Sequence, residues 1–466
     1  MLARDLKRWY ASPTHTGKRY NLVMHTSVLK YSEEDLRTVY EKFPFQWILP
    51  KNILFEIQLL EGSEKFRKKA KLFLALWKNK GSICFKSNLE DFYGDQKHLK
   101  GLSATKTENL IFIFGDQLKL KEFLENVPAN QNYYILYHNR WHHTNGDDYG
   151  LIEGVDQVNQ WIPSFSCVRN ISNMYPSGAK KNSKNIPKSV TAQNYKGEEV
   201  ASYLVKEEVN SGGEAKIYNV CEDENILLKL YDFSVTDNRL KKLKYFQMLN
   251  DHFKHIAMPK GIIYMGKDPI GISMERIKGR ALCDVLSSGG SPSLFLDLLP
   301  KLAILLLELN CMNIMMVDLS LQNLIVGEKN DIYIVDADSF QYRNYSSGVK
   351  IRADFLHKDY VGKQNINIYD LRCQDFAFAV LIFRLLVCGT TSPLFQSGAQ
   401  DAGILFWGGE FEFPYGKADT SEKVNKRCFE RWNLLPEHIQ QAFVDEFTFN
   451  KEYSVGYWID LLDREC

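Results

Sequence analysis

The chain has 466 residues, 45% of them hydrophobic and 13% aromatic, too long for one ordinary domain and well supplied for two or three packed ones. Lys plus Arg (58) nearly balances Asp plus Glu (57), so no global field directs it to nucleic acid or to a membrane surface, and neither is expected as a partner. Nine cysteines without a C-x-x-C pair argue against a zinc ribbon or disulfide framework and suit a reducing cytoplasm. The basic start "MLARDLKRWY" lacks the apolar stretch of a signal peptide.

Residues 1–165 alternate short apolar runs ("YNLVMHTSVL", "SICFKS", "NLIFIFGD", "NYYILYHN") with amphipathic ones ("SEEDLRTVYEKF", "SEKFRKKAKLFLALWKN", "QLKLKEFLENV"). That alternation predicts a separate α/β domain with a largely parallel sheet. "YHNRWHHTNGDDYG" gathers histidines and aspartates, but adjacent His142 and His143 point apart on a strand or helix, so a polar surface loop is expected rather than a metal site. "NLVMHTSVL" is similar to the first strand of PIN-type nucleases, with His25 where that family has its first metal-binding aspartate. A sensing or recruitment module is therefore expected, not a nuclease.

Residues 166–202 are rich in Asn, Ser, Lys and Pro and read as a polar basic linker. Beyond it, "SYLVKEEV", "KIYNV", "NILLKLY" and "GIIYM" predict antiparallel strands, and helical periodicity dominates from about residue 293, which is α+β organisation. The apolar runs 298–317 and 376–389 are interrupted or too short to span a bilayer and are expected as buried helices.

Chemistry concentrates in "IMMVDLSLQNLIVGEKNDIYIVDADSFQ", residues 314–341, where two strand-like runs end in Asp318, followed by Asn323, and in Asp336 and Asp338. Carboxylates at such places need a cation, a hydrogen bond or water. Upstream, "NSGGEA" (Asn210, Ser211, Gly212, Gly213, Glu214, Ala215) sits between two strands, where glycines let backbone N–H groups approach phosphate. Lys229 follows among apolar neighbours in "ILLKLY" and calls for an anionic partner.

A Gly-rich hairpin, a strand lysine, a helix, further strands, D-x-x-x-x-N and a strand-terminal aspartate come in the order of parts of a protein kinase. Residues 203–466 resemble a divergent bacterial eukaryotic-like Ser/Thr kinase, of a group carrying Asp-x-Asp-Ser-Phe in place of Asp-Phe-Gly. The resemblance implies a bilobal fold, with an N-lobe over 203–278 and a C-lobe over 279–466. It implies ATP and Mg²⁺ (or Mn²⁺) as cofactors and a protein substrate, with Asp318 as catalytic base and Lys229 on the phosphates. Asn323 and Asp336 would be metal ligands. Asn210, Ser211, Gly212, Gly213 and Ala215 would cover the nucleotide, while Met274, Glu275 and Ile277 would form the hinge at adenine. Asp375 falls where kinases brace the catalytic loop.

The departures open alternatives. Only Gly212 survives of the usual three glycines, and "NRLKKLKYFQML" has no glutamate for Lys229. Lys229 then either finds another acid, such as Asp336, or stays unheld until nucleotide binds. Asp338, in place of glycine, is either a further metal ligand or a helix-capping group. Met316 and Val317 replace the usual His-Arg, which removes the cationic receptor for a phosphorylated activation loop. The expected activity is Mg·ATP-dependent protein phosphorylation; the alternatives are a nucleotide-binding pseudokinase and a kinase-fold adenylyltransferase.

Overall fold

A computed structural model describes residues 20–43, 45–80, 188–211, 214–342, 368–389, 413–418, 420–449 and 451–463, the shorter stretches 6–7, 10–11, 83–85, 110–114, 133–137, 140–145, 148–151, 345–347 and 355–357, and residues 351 and 360. Strands β1 (Asn21–Met24), β2 (Gln46–Pro50), β3 (Ile83–Phe85), β4 (Leu110–Phe114), β5 (Tyr133–Tyr137), β6 (Arg140–Asn145) and β7 (Asp148–Leu151) form one sheet in the order β3-β2-β1-β4-β5-β6-β7. The five strands from β3 to β5 are parallel, and β6 and β7 are antiparallel. Helices α1 (Glu33–Lys42), α2 (Lys51–Leu59) and α3 (Arg67–Asn79) connect the first strands. Ser32 caps α1 by accepting from Asp35 N–H at 3.1 Å, ahead of an acidic first turn that suits the helix dipole.

Two differences from the sequence reading fall in this part. The stretch expected as a polar loop is the antiparallel pair β6–β7, which places His142 and His143 side by side on a strand. The signal was present: an Asn-Gly pair between runs rich in aromatic and β-branched residues favours a hairpin. The strand β2 and helix α2 had no counterpart in the sequence expectations, because "QWILPKNILFEIQLL" is a mostly apolar stretch in which a strand runs straight into a helix without a clear period.

The expected helix over "QLKLKEFLENV" and residues 166–187 of the expected linker lie outside the described residues. From Ser189 the chain is already strand. β8 (Ser189–Gln193) and β9 (Glu199–Ser211) pair antiparallel through a tight turn in which Asn194 N–H donates to Glu198 O at 2.8 Å. The linker boundary at 202 is thus corrected. Val190 and Ala192 alternate inward, a period-2 signal masked by the polar residues between them. With β10 (Ala215–Val220), β11 (Ile226–Tyr231), β12 (Pro259–Met265) and β13 (Asp268–Glu275) these strands close a barrel in the order β10-β11-β13-β12-β8-β9. Helix α4 (Asp237–Met248), capped by Thr236, packs on β12.

Past the barrel come β14 (Arg280–Ala281), α5 (Leu282–Ser287), α6 (Pro292–Cys311), β15 (Ile314–Met315), β16 (Leu324–Val326), β17 (Ile332–Ile334) and β18 (Gln341–Tyr342). The chain ends with α7 (Leu371–Phe383), α8 (Lys426–Asn433), α9 (Glu437–Phe449) and α10 (Val455–Asp463). The two long apolar runs are the buried helices α6 and α7. Among the described residues no helix is long and apolar enough to cross a membrane.

The α/β part is not a separate body behind a tether. Its buried residues belong to the same hydrophobic cluster as those of α6, α7, α9 and α10. Helix α2 lies against α10, and its apolar residues supply both sides: Ile53 and Ile57 are fully buried, while Leu54 and Phe55 pack at the edge of the shared core. Ser63 donates to Glu308 of α6, and Lys254 pairs with Glu64 at 2.9 Å.

Candidate active site

Two short strands set the site. β16 and β17 pair antiparallel, and each is entered or left through one of the motif residues. Asp318 lies before β16 and Asn323 ends the single turn leading into it. The Asn323 amide donates to the Asp318 carboxylate at 2.9 Å and to its carbonyl at 3.1 Å. That fixes the D-x-x-x-x-N segment and turns the amide oxygen away, with no hydrogen bond of its own among the described residues.

At the end of β17, Asp336 takes a left-handed backbone, φ 66°, which aspartate tolerates better than most residues. Its carbonyl accepts from Ser339 N–H at 3.0 Å and from Ser339 Oγ at 2.7 Å, a turn that aims two aspartates at one neighbour. That neighbour is Lys229 of β11. Its ammonium bonds the Asp336 carboxylate and donates to Asp338 Oδ1 at 2.7 Å. Lys229 therefore finds two acids where the reading left Asp336 or none.

Asp338 accepts further from Tyr231 O–H at 2.9 Å and from Arg239 Nη2 at 3.3 Å. It is only 1% exposed, and it makes no helix-capping hydrogen bond. Burial alone would raise its carboxyl, but the charges of Lys229 and then Arg239 outweigh burial and hold it well below the carboxylate range. Burial likewise opposes the Lys229 charge, and Asp338 and then Asp336 overcome it, so the ammonium is held above its ordinary value. The Arg239 guanidinium lies 4.3 Å from the Tyr231 ring centre and 4.7 Å from that of Phe233, which fixes its direction.

The other expected site residues fall around this cluster. Asn210 and Ser211 close β9, with the Asn210 side chain accepting from Ser211 N–H at 2.8 Å, and Ala215 opens β10. Gly212 and Gly213 lie outside the described residues. Met274 is buried in β13 directly opposite Leu227 of β11, Glu275 is exposed at the strand end, and Ile277 follows.

A residue the sequence did not single out, Gln374, contacts the loop before Asp318. Gln374 accepts from Met316 N–H at 3.0 Å and donates to Asn310 at 3.2 Å. Its neighbour Asp375 accepts from Val455 N–H at 3.2 Å, at the start of α10. Tyr231, Arg239, Gln374 and Lys242 were all missed. Lys242, buried on α4, donates to the carbonyls of Phe340 (2.9 Å), Ser346 (2.9 Å) and Ser347 (3.2 Å) and so ties α4 to the segment after Asp338.

Asp336, with its side chain 29% exposed, and the free oxygen of Asn323 are hard donors at the open side of the cluster. Among the described residues no three His, Cys, Asp or Glu side chains form a metal cage. Mg²⁺ does not need one, since it is bound through one or two carboxylates with phosphates and water. The residues present fit such an ion.

No protein-family model matches the chain, and no characterised protein matches it in sequence.

Proposed function

We propose that the chain is a Mg·ATP-dependent phosphotransferase acting on serine or threonine of a protein, in the manner of a bacterial eukaryotic-like protein kinase. The observation that carries this reading is the contact of Lys229 with Asp336, 107 residues apart in sequence, beside the Asp318–Asn323 pair. A barrel-strand cation and two oxygen ligands at the mouth of a strand pair form a phosphate and metal site, with a carboxylate nearby for an incoming hydroxyl.

In this reading Asp336 and Asn323 would hold Mg²⁺, which would neutralise charge on the phosphates. Lys229 would bind phosphate oxygens. Asp318, oriented by the Asn323 amide, would accept the hydrogen bond of the substrate hydroxyl and take its proton as the new bond to the γ-phosphorus forms and the bond from that phosphorus to the β–γ bridging oxygen breaks, releasing ADP. Met274, Glu275 and Ile277 would border the adenine, with Asn210, Ser211 and Ala215 toward the phosphates. The α/β part serves regulation or recruitment, and a cytoplasmic setting suits the free cysteines.

The test is incubation of the full chain with ATP labelled separately on the γ- and α-phosphate, with Mg²⁺ or Mn²⁺ and a mixed protein acceptor. Transfer of the γ label, lost in Asp318→Asn, is the expected result. Transfer of the α label makes the chain an adenylyltransferase. Binding of ATP without transfer of either label makes it a nucleotide-binding interaction protein.

A further inference from the structure

We propose that Asp338 is the positioning residue for Lys229, the enclosed carboxylate that keeps the ammonium in place while Asp336 is released to the metal. The inference rests on the phosphotransfer reading above and assigns the second aspartate of "DAD" a role distinct from the first. Both oxygens of Asp338 are engaged: Oδ1 by Lys229, and Oδ2 by Tyr231 and Arg239. A Mg²⁺ ion keeps several of its waters and needs ligands with free lone pairs facing them. Asp338, 1% exposed and enclosed by three donors, leaves no room for a hydrated ion beside it.

Asp336 is placed differently. It meets Lys229 from the more open side, with a side chain 29% exposed, and the described structure gives it no other side-chain partner. If Asp336 were the sole counter-ion, each arriving metal would strip a buried ammonium of its only match, which is costly in a low-dielectric interior. With Asp338 in place, Asp336 can exchange the ammonium for the cation and Lys229 stays charged and aimed.

The arrangement also accounts for α4, which has no glutamate. The helix sends Arg239 instead, which bonds Asp338 at 3.3 Å and lies 3.7 Å from Glu214 at the start of the next described stretch. Helix, lysine strand and strand-terminal turn thus meet on one carboxylate. The acid comes from the turn and the cation from the helix.

Titrations on the full-length protein decide the matter: ATP at saturating Mg²⁺, and Mg²⁺ at saturating ATP, for wild type, Asp338→Asn, Asp336→Asn, Lys229→Met and the Asp338→Asn/Lys229→Met double variant. Asp338→Asn is expected to weaken ATP binding about tenfold, leave the half-saturating Mg²⁺ near wild type, and add little to Lys229→Met in the double variant. Asp336→Asn is expected to raise the Mg²⁺ requirement. Should Asp338→Asn fail to fold, Tyr231→Phe and Arg239→Gln each remove one Oδ2 partner and are expected to weaken ATP binding with the Mg²⁺ requirement unchanged.

A raised Mg²⁺ requirement in Asp338→Asn, or in both substitutes, overturns the proposal, as do effects of Asp338→Asn and Lys229→Met that simply multiply. A wild type that binds no Mg·ATP removes the phosphotransfer reading and this inference together, and is told apart because the other outcomes require a wild type that binds.

Discussion

Lys242 carries the sharpest local prediction. Its buried amine, whose pKa burial and then the Arg239 charge push down to about 7, donates to three backbone carbonyls and so holds the segment after Asp338. Lys242→Met keeps the bulk and removes the side-chain donor from three carbonyls, and a buried carbonyl that finds no replacement costs about 1–3 kcal/mol. The segment after Phe340 is therefore expected to become protease-sensitive in that variant, while the barrel keeps its protection from hydrogen exchange. Unchanged cleavage would mean that the segment is held by the stacking of Tyr342 on Tyr245, 4.0 Å between ring centres. Ser347 is buried in the same place, so replacing Tyr342, Tyr345, Ser346 and Ser347 by residues that cannot be phosphorylated, with Phe for Tyr, is expected to leave the rate of any phosphotransfer within about threefold. A collapse restored by phosphomimetic residues contradicts this.

Lys229, Asp318, Asn323 and Asp336 were legible as a set because each lies in a short motif whose spacing carries its meaning. Asp336 as an acid for Lys229 was among the alternatives, but the pairing of Lys229 with Asp338, the further partners of Asp338 and the brace on Met316 were not legible. Tyr231 and Arg239 reach Asp338 across 107 and 99 residues of sequence, and Gln374 reaches Met316 across 58. No local pattern encodes such pairings.

Among the described elements, α2 and α10 approach closely although they come from opposite parts of the sequence. A Cβ on Gly456 would fall 2.3 Å from Glu56 Cγ, in the middle of a side chain that cannot easily swing away. At Gly62 it would meet Ile304 Cδ1 at 2.9 Å, the far end of a flexible one. Gly456→Ala is expected to cost about 1–3 kcal/mol and Gly62→Ala less, read as a larger drop in Tm for the first. Equal drops would mean that α2 shifts freely on α10.

Glu308 of α6 sits in the same junction. Burial raises its carboxyl above the ordinary value, against the Ser63 hydrogen bond and the Lys65 charge that lower it. A carboxyl whose folded pKa is raised binds more protons folded than unfolded, so its contribution is full below the unfolded value, about 4.3, and falls as pH rises through the folded one. Glu308→Gln is accordingly expected to raise Tm at pH 7–8 by about 1–3 °C and to flatten the pH dependence above 5. A lower Tm at every pH would show that the charged form is the one the junction needs.

On the scale of the whole molecule, one core joins residues that the sequence divides by a polar stretch. Composition found the stretch and suggested a tether, but composition reports what a segment cannot bury, not what its neighbours bury together. The apolar content of "KNILFEIQLL" was the visible sign, a helix with more apolar residues than one sheet face can take. Residues 188–466 expressed alone are expected to aggregate or to bind a hydrophobic dye, because the α6 and α10 surfaces that meet α2 are then exposed. A soluble, monomeric fragment with an unchanged Tm would show that the shared core contributes little.

The account rests on Lys229, Asp336 and Asn323 forming a site for a nucleotide and its metal, and calorimetric titration of ATP with and without Mg²⁺ tests that most directly. Asn is the proper replacement for Asp336, since it also accepts the left-handed backbone. The wild type is expected to bind ATP more tightly with Mg²⁺ and to lose the gain on chelation. Asp336→Asn is expected to lose that gain, about tenfold or more, with Tm within a few degrees of wild type because Asp338 still neutralises Lys229. The same Mg²⁺-dependent gain in Asp336→Asn as in wild type would contradict the account.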